Sequence, residues 1–189
     1  GHSVENGPVE MRAAAFAEGK ALAAPRDYRW DTTSLLTRSA EQLATCPDAG
    51  RLLLRLEDDG PADGERAIFN TTIFYPCWQW NAADLEGIAS IKVRAGQIPY
   101  YFQLAHDEPN RRFEPARSQH GELDIHADGC KGELLASVPL PATPGKDGFI
   151  TLSAELPAGT QGKHDLCLRF TGDTRPTMWV LDTVTLQPR

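Results

Sequence analysis

From Arg51 onward, apolar residues recur at every second position, the period of a half-buried β-strand. Leu52, Leu54 and Leu56 alternate with Leu53, Arg55 and Glu57, and Asp58-Asp59-Gly60-Pro61 then turns the chain. Ala67–Tyr75 is rich in β-branched and aromatic residues and reads as a second strand, interrupted by the Pro76–Trp80 stretch. Asn81–Glu86 reads as a loop. Ala89, Ile91 and Val93 form the next inward column, and Tyr100, Phe102 and Leu104 the one after it. Leu123, Ile125 and Ala127 oppose Glu122, Asp124, His126 and Asp128, which is the pattern of a strand with one solvated face. Leu134, Ala136, Val138 and Leu140 follow, then Ile150, Leu152 and Ala154. The closing pair places Leu166, Leu168 and Phe170 on one strand, and Val180, Val184 and Leu186 on the other.

About nine short strands separated by turn signals predict an all-β sandwich or jelly roll rather than a parallel α/β sheet. Ahead of them, residues 4–26 read as an extended arm with a short strand around Arg12–Phe16. Asp31 or Thr32 can cap a short helix carrying Leu35, Leu36 and Leu43, which Pro47 would stop. The expected organisation is a tag remnant at 1–3, an arm with a short helix at 4–48, and a β-sandwich domain at 49–189.

The 189 residues suffice for one sizeable core. No apolar run approaches the length of a membrane span. A net charge of −7 without a Lys/Arg cluster argues against nucleic acid and anionic membranes as partners. Cys46, Cys77, Cys130 and Cys167 match no zinc-site spacing and include no Cys-x-x-Cys. They are either two disulfides, in one of three connectivities, or four buried thiols.

Candidate chemistry is sparse. The sequence has no nucleophile elbow, phosphate-cradling glycine loop or His-Glu-x-x-His motif. Asp182 sits among apolar residues of its strand, and a buried carboxylate needs an ion pair, hydrogen bonds or a cation. Calcium, a structural cofactor held by Asp182, Glu57 and Asp59, is one solution, since it takes oxygen ligands from loops. A solvated acidic turn is the plainer reading of Glu57-Asp58-Asp59. His120, Glu122, Asp124, His126 and Asp128 share one strand face, where a transition metal could bind, but such residues also belong on a solvent face. Trp78, Trp80, Tyr100, Tyr101 and Trp179 sit at strand ends or loops, and rings there can stack on a pyranose. At least one of Trp78 and Trp80 is expected to fill the core instead.

The run from Trp78 to Leu186 resembles the family 6 carbohydrate-binding modules and their galactose-binding-like relatives. The resemblance rests on Ala83–Arg94, Gly121–His126, Gly132–Val138, Gly162–Gly172 and Leu181-Asp182. It implies a jelly-roll β-sandwich, and in such modules the aspartate matching Asp182 often helps to bind a structural calcium. Two positions depart from the sugar-binding pattern. Val180 stands where an asparagine is common, and Thr183 where a tryptophan often follows the aspartate. Leu52–Pro61, Asn70–Trp80 and His164–Asp182 also look like the C-terminal region of bacterial family 20 glycoside hydrolases, the β-N-acetylhexosaminidases. That similarity implies two disulfides and a periplasmic or secreted location. It also implies a non-catalytic accessory role beside a catalytic barrel, on glycans containing N-acetylglucosamine. The alternative is a structural domain that packs on the barrel and binds no sugar.

Overall fold

The computed structural model describes residues 9–13, 16–17, 20–21, 26–30, 33–50, 52–57 and 66–189, with side chains from residue 35 onward. Two compact units are present, Gly1–Thr37 and Arg38–Arg189. In the first, β1 (Val9–Ala13) pairs antiparallel with β4 (Arg26–Trp30), and β2 (Phe16–Ala17) with β3 (Lys20–Ala21). Among the described residues no helix is long and apolar enough to cross a membrane.

The helix expected through Leu43 is not formed. One helical turn, α1 (Thr33–Leu36), gives way to β5 (Thr37–Ser39), a 3₁₀ turn at Ala40–Gln42 and β6 (Ala44–Thr45). β5 and β6 are edge strands, one in each sheet of the second unit, so sheet pairing takes the backbone groups a helix would have used.

The second unit is a two-layer sandwich. After the hairpin of β7 (Leu53–Glu57) and β8 (Ile68–Thr72) come β9 (Cys77–Asp84), β10 (Ile88–Pro99), β11 (Glu122–His126), β12 (Leu134–Pro139), β13 (Phe149–Glu155), β14 (Lys163–Phe170) and β15 (Thr177–Pro188). One sheet has the order β12-β11-β14-β9-β6 and the other β13-β10-β15-β5. Pro76–Trp80 and Asn81–Glu86, expected as an interruption and a loop, instead supply β9, which lies between β14 and the edge strand β6 in the five-stranded sheet. Tyr100–Leu104 is not a strand, because the Tyr100 N–H donates to the Pro176 carbonyl at 2.8 Å and the chain then enters a 3₁₀ turn at Ala105–Asn110. Its alternation survives as packing: Tyr100 is buried, Phe102 and Leu104 are half-buried, and Tyr101 points outward.

Residues directly opposite on antiparallel strands share a sheet face. Leu166 lies opposite Trp80, and Leu168 opposite both Trp78 and Ile125. On the other sheet Ile91 and Val93 lie opposite Leu186 and Val184. These two sets meet in the interior, where each fully buried large side chain contributes roughly 1.5–3 kcal/mol.

The β10–β15 register slips between Arg94 and Ala95, which pair with Thr183 and Leu181, so Asp182 is the extra residue of a β-bulge. The slip changes which residues face inward. Val184 and Leu186 stay in the interior, but Val180 and Met178 pass to the outer face, so Val180 does not share a face with Val184 as strict alternation implies. There they join Phe69, Ile73 and Tyr100 in a second apolar cluster, with Leu54, Leu56, Ile98, Phe113 and Phe149 packed against it. The β7–β8 hairpin thereby covers the outer face of the four-stranded sheet.

Candidate functional site

The outer face of the five-stranded sheet carries a deep recess, and the register shows how it is built. Cys167 lies opposite Gln79 and His126, and Arg169 opposite Cys77 and Asp124, all on the face away from the apolar interior. Over them opens a cleft of about 610 Å³ lined by Tyr75, Gln79, Arg112, Glu114, Asp165 and Arg169, with Cys46–Asp48 and Asp128–Lys131. That volume lies within the range of small-ligand sites.

Arg169 organises this face. Its Nη1 donates to Tyr75 Oη at 2.9 Å and lies 3.4 Å from Glu114 Oε1, while the Tyr75 hydroxyl donates to Glu114 at 2.7 Å. Burial and the bond to Glu114 raise the Tyr75 phenol above its ordinary value against the opposing pull of Arg169, so it stays protonated and keeps donating. Arg169 Nη2 is 3.2 Å from His126 Nε2, and His126 Nδ1 is 3.1 Å from the Gly132 carbonyl. Since arginine can only donate, Nε2 accepts and Nδ1 carries the proton, leaving no lone pair for a metal. The Arg112 guanidinium lies 4.6 Å over the Tyr75 ring and donates to the Asp48 carbonyl, so that ring offers no open face. Asp165 Oδ1 accepts the Ala82 N–H at 2.7 Å, at a second bulge where Ala82 has φ 51°.

The polar side of β11, expected in solvent, is buried along its whole length and satisfied internally. Asp124 accepts from Arg117 Nη2 at 2.6 Å and from Ser137 Oγ at 2.8 Å. Glu122 accepts the Arg117 N–H at 3.0 Å and the Thr171 hydroxyl. Burial pushes the Glu122 carboxyl upward, but the bonds from Thr171, Arg117 and Ser118 outweigh it and hold the group below the usual carboxylate range. Gly121 makes this contact possible: its φ is +81°, and a Cβ there would run into the Thr171 carbonyl.

Four of the five aromatics read as sugar platforms are core residues. Trp78, Trp179, Tyr100 and Trp80 are buried. The Trp78 indole N–H donates to the Asn70 carbonyl at 2.6 Å and its ring meets Phe170 edge-on, while Trp179 also packs on Phe170, tilted, with centroids 6.1 Å apart. Trp80 is covered by Arg38 at 4.9 Å, and Tyr100 by Arg111 at 4.6 Å, with its hydroxyl donating to the Ile73 carbonyl. Tyr101 alone of the five is open, 71% exposed, in a recess of about 390 Å³ with Gln103, Glu108, Arg111 and Arg175. Val180 is fully buried in the outer cluster, so that position presents neither a polar group nor a surface.

Among the described residues, the expected calcium ligands Asp182 and Glu57 do not join a common ligand group. Asp182 pairs with Arg94, whose guanidinium also lies 3.4 Å over the Phe149 ring, so the bulged carboxylate already has its cation. Glu57 is exposed and 3.6 Å from Arg66, and Asp59 lies outside the described residues. Among the described residues, Asp182 and Glu57 belong to no group of three or more side chains able to converge on one ion. His164, without an evident partner in the sequence, lies 3.1 Å from Asp128 at the cleft rim.

The cleft residues Tyr75, Gln79, Arg112, Glu114, Asp165 and Arg169 are absent from the sequence-derived candidates. One signal did exist: Asp165, Cys167 and Arg169 alternate with the apolar Leu166, Leu168 and Phe170. The partners from β9 and from residues 112–114 carried none.

Comparisons bear on a jelly-roll sandwich with this sheet-face cleft. Residues 105–188 match the model of the family "Carbohydrate binding module (family 6)". The fold is similar to that of a β-1,3-glucan binding family 6 module from Bacillus halodurans, with TM-score 0.52, 17% identity, and 80% of this chain and 94% of that one covered. A family 6 module from Clostridium stercorarium in complex with cellobiose gives TM-score 0.52 and 17% identity, over 81% and 93%. A family 43 arabinoxylan arabinofuranohydrolase from Bacillus subtilis gives TM-score 0.53 and 16% identity over 81% of this chain, which spans 27% of that enzyme. A search of curated protein sequences finds no significant match.

Proposed function

We propose that this chain is a non-catalytic carbohydrate-binding accessory domain, and that its glycan site is the cleft on the five-stranded sheet. The observation that carries the reading is a coincidence of place: Arg112, Glu114, Asp128, Lys131, Asp165 and Arg169 all line the cleft and all fall within the stretch matched by the family 6 model. Guanidinium, carboxylate and amide groups held at fixed spacing bind sugar hydroxyls through paired hydrogen bonds, several of them charge-assisted. The parent we assign is a β-N-acetylhexosaminidase-like glycoside hydrolase, and the ligand a glycan containing N-acetylglucosamine. Tethering would then raise the substrate concentration seen by a catalytic barrel in the same chain. The two disulfides support a periplasmic or secreted location.

Isothermal titration with chitooligosaccharides, beside cello-, xylo- and laminari-oligosaccharides as controls, tests this. Binding that Arg112→Ala weakens about tenfold or more, the worth of one charge-assisted hydrogen bond, is expected, with Tyr101→Ala unchanged. The reverse pattern would move the site to the Tyr101 recess. Heat from no oligosaccharide would favour a structural domain packed on the barrel, a reading supported by the burial of Trp78, Trp80, Tyr100 and Trp179.

A further inference from the structure

The four cysteines lie in one cluster beneath the cleft. Cys77 on β9 and Cys167 on β14 belong to adjacent strands, Cys46 follows β6, and Cys130 lies in the turn after β11. The bonds run Cys46–Cys77 and Cys130–Cys167, yet all four Sγ atoms lie within 4.8 Å of one another. Cys46 Sγ is 3.3 Å from that of Cys130 and 3.8 Å from that of Cys167. Cys77 Sγ is 3.3 Å from Cys130 and 3.4 Å from Cys167. Two disulfides serving different loops have no need to touch, but here every sulfur contacts both sulfurs of the other pair.

A four-thiolate zinc site has Zn–S bonds of about 2.3 Å, hence a tetrahedron of sulfurs with edges of about 3.8 Å. The four non-bonded spacings in the cluster are already close to those edges. Reduction separates each bonded pair to van der Waals contact, a similar spacing, so all six edges approach the tetrahedral value with little movement of the strands. We infer that the reduced chain binds one zinc-class ion through Cys46, Cys77, Cys130 and Cys167. Thiolates select such soft or borderline ions over calcium and magnesium. Cys46 and Cys130 line the cleft, which gives an ion and a reductant a way in. Arg112, Lys131 and Arg169 line the same walls beside Asp48, Glu114, Asp128 and Asp165, so the surroundings do not neutralise the site's net charge of −2, and it is the sulfur geometry that carries the inference.

The metal form and the disulfide form exclude each other. Two equivalents of a phosphine, with two waters, donate four electrons to the two disulfides and leave as two phosphine oxides, the waters supplying the four thiol protons. The resulting four thiols release four protons as the ion binds.

The test uses the full chain, reduced with a phosphine under anaerobic conditions and titrated with Co²⁺, then Zn²⁺. Saturation at one Co²⁺ per chain is expected, with thiolate-to-cobalt charge transfer and tetrahedral d–d bands, and displacement by one Zn²⁺. The oxidised chain should bind none. Cys130→Ser should lower cobalt affinity at least about tenfold, since even outer-shell changes cost that much. Absence of the charge-transfer band, or unchanged affinity in Cys130→Ser, overturns the inference. Far-ultraviolet circular dichroism on the same samples guards against unfolding. A β-sheet signal that is retained, or that cobalt restores, supports the site; cobalt binding to a chain that stays unfolded overturns it.

Discussion

At the scale of single residues, Asp182, Glu122 and His164 are each tied to named partners. Asp182 has Arg94, and removing the carboxylate strands a guanidinium stacked on Phe149. Asp182→Ala is expected to cost about 1–3 kcal/mol, seen as a lower urea midpoint at unchanged slope. That Asp182 needs a partner was legible in the sequence. Which partner was not, because the bulge depends on pairing with a strand 88 positions earlier. Glu122 makes an acid-side prediction. Its folded pKa lies below the ordinary value of 4.5, so its contribution is complete above that pH and is lost as pH falls through the folded value. Glu122→Gln should flatten the acid limb of stability against pH, and an unaltered limb would contradict the assignment. His164 has the opposite sign. The Gln161 carbonyl and then Asp128 raise it above 6.5, so its contribution is complete below 6.5 and fades as pH rises through the folded value. Proton-resolved titration of the His164 ring should therefore give a midpoint above 6.5, and His164→Gln should remove that alkaline loss.

At the scale of elements, alternation located most strands but could not say which side of a strand faced protein. β11 shows why: its polar column is as buried as its apolar one, because Arg117, Ser137 and Thr171 fold over it. Leu35, Leu36 and Leu43 suggested a helix because spacing alone cannot register that neighbouring residues close two sheet edges. β9 was obscured by Pro76 and by a polar tail that pairs with β14. The β7–β8 hairpin was legible as a hairpin, but its role was not. Phe69, 5% exposed, sits in the cluster that the bulge in β15 creates. Phe69→Ala is expected to cost about 3–5 kcal/mol and to increase binding of a hydrophobic dye, as Val180 and Met178 lose their cover.

At the scale of the whole molecule, the sandwich class could be read from rhythm alone, whereas the site could not. Ring side chains at strand ends looked like a binding surface, yet four of the five were needed to fill a core. The cysteines are long-range staples on the five-stranded sheet, and Cys46–Cys77 closes a separation of 31 residues across the hairpin. Replacing both by serine should cost about 2–4 kcal/mol in thermal or urea unfolding, more than any rim substitution. If the proposed glycan site is right, the covering hairpin also bears on valency: with the outer face of the four-stranded sheet covered, the cleft on the five-stranded sheet is left to engage a polysaccharide, once per domain. The domain should then coat an insoluble fibre as a single layer, and it should neither agglutinate particles nor thicken a solution of the soluble polymer.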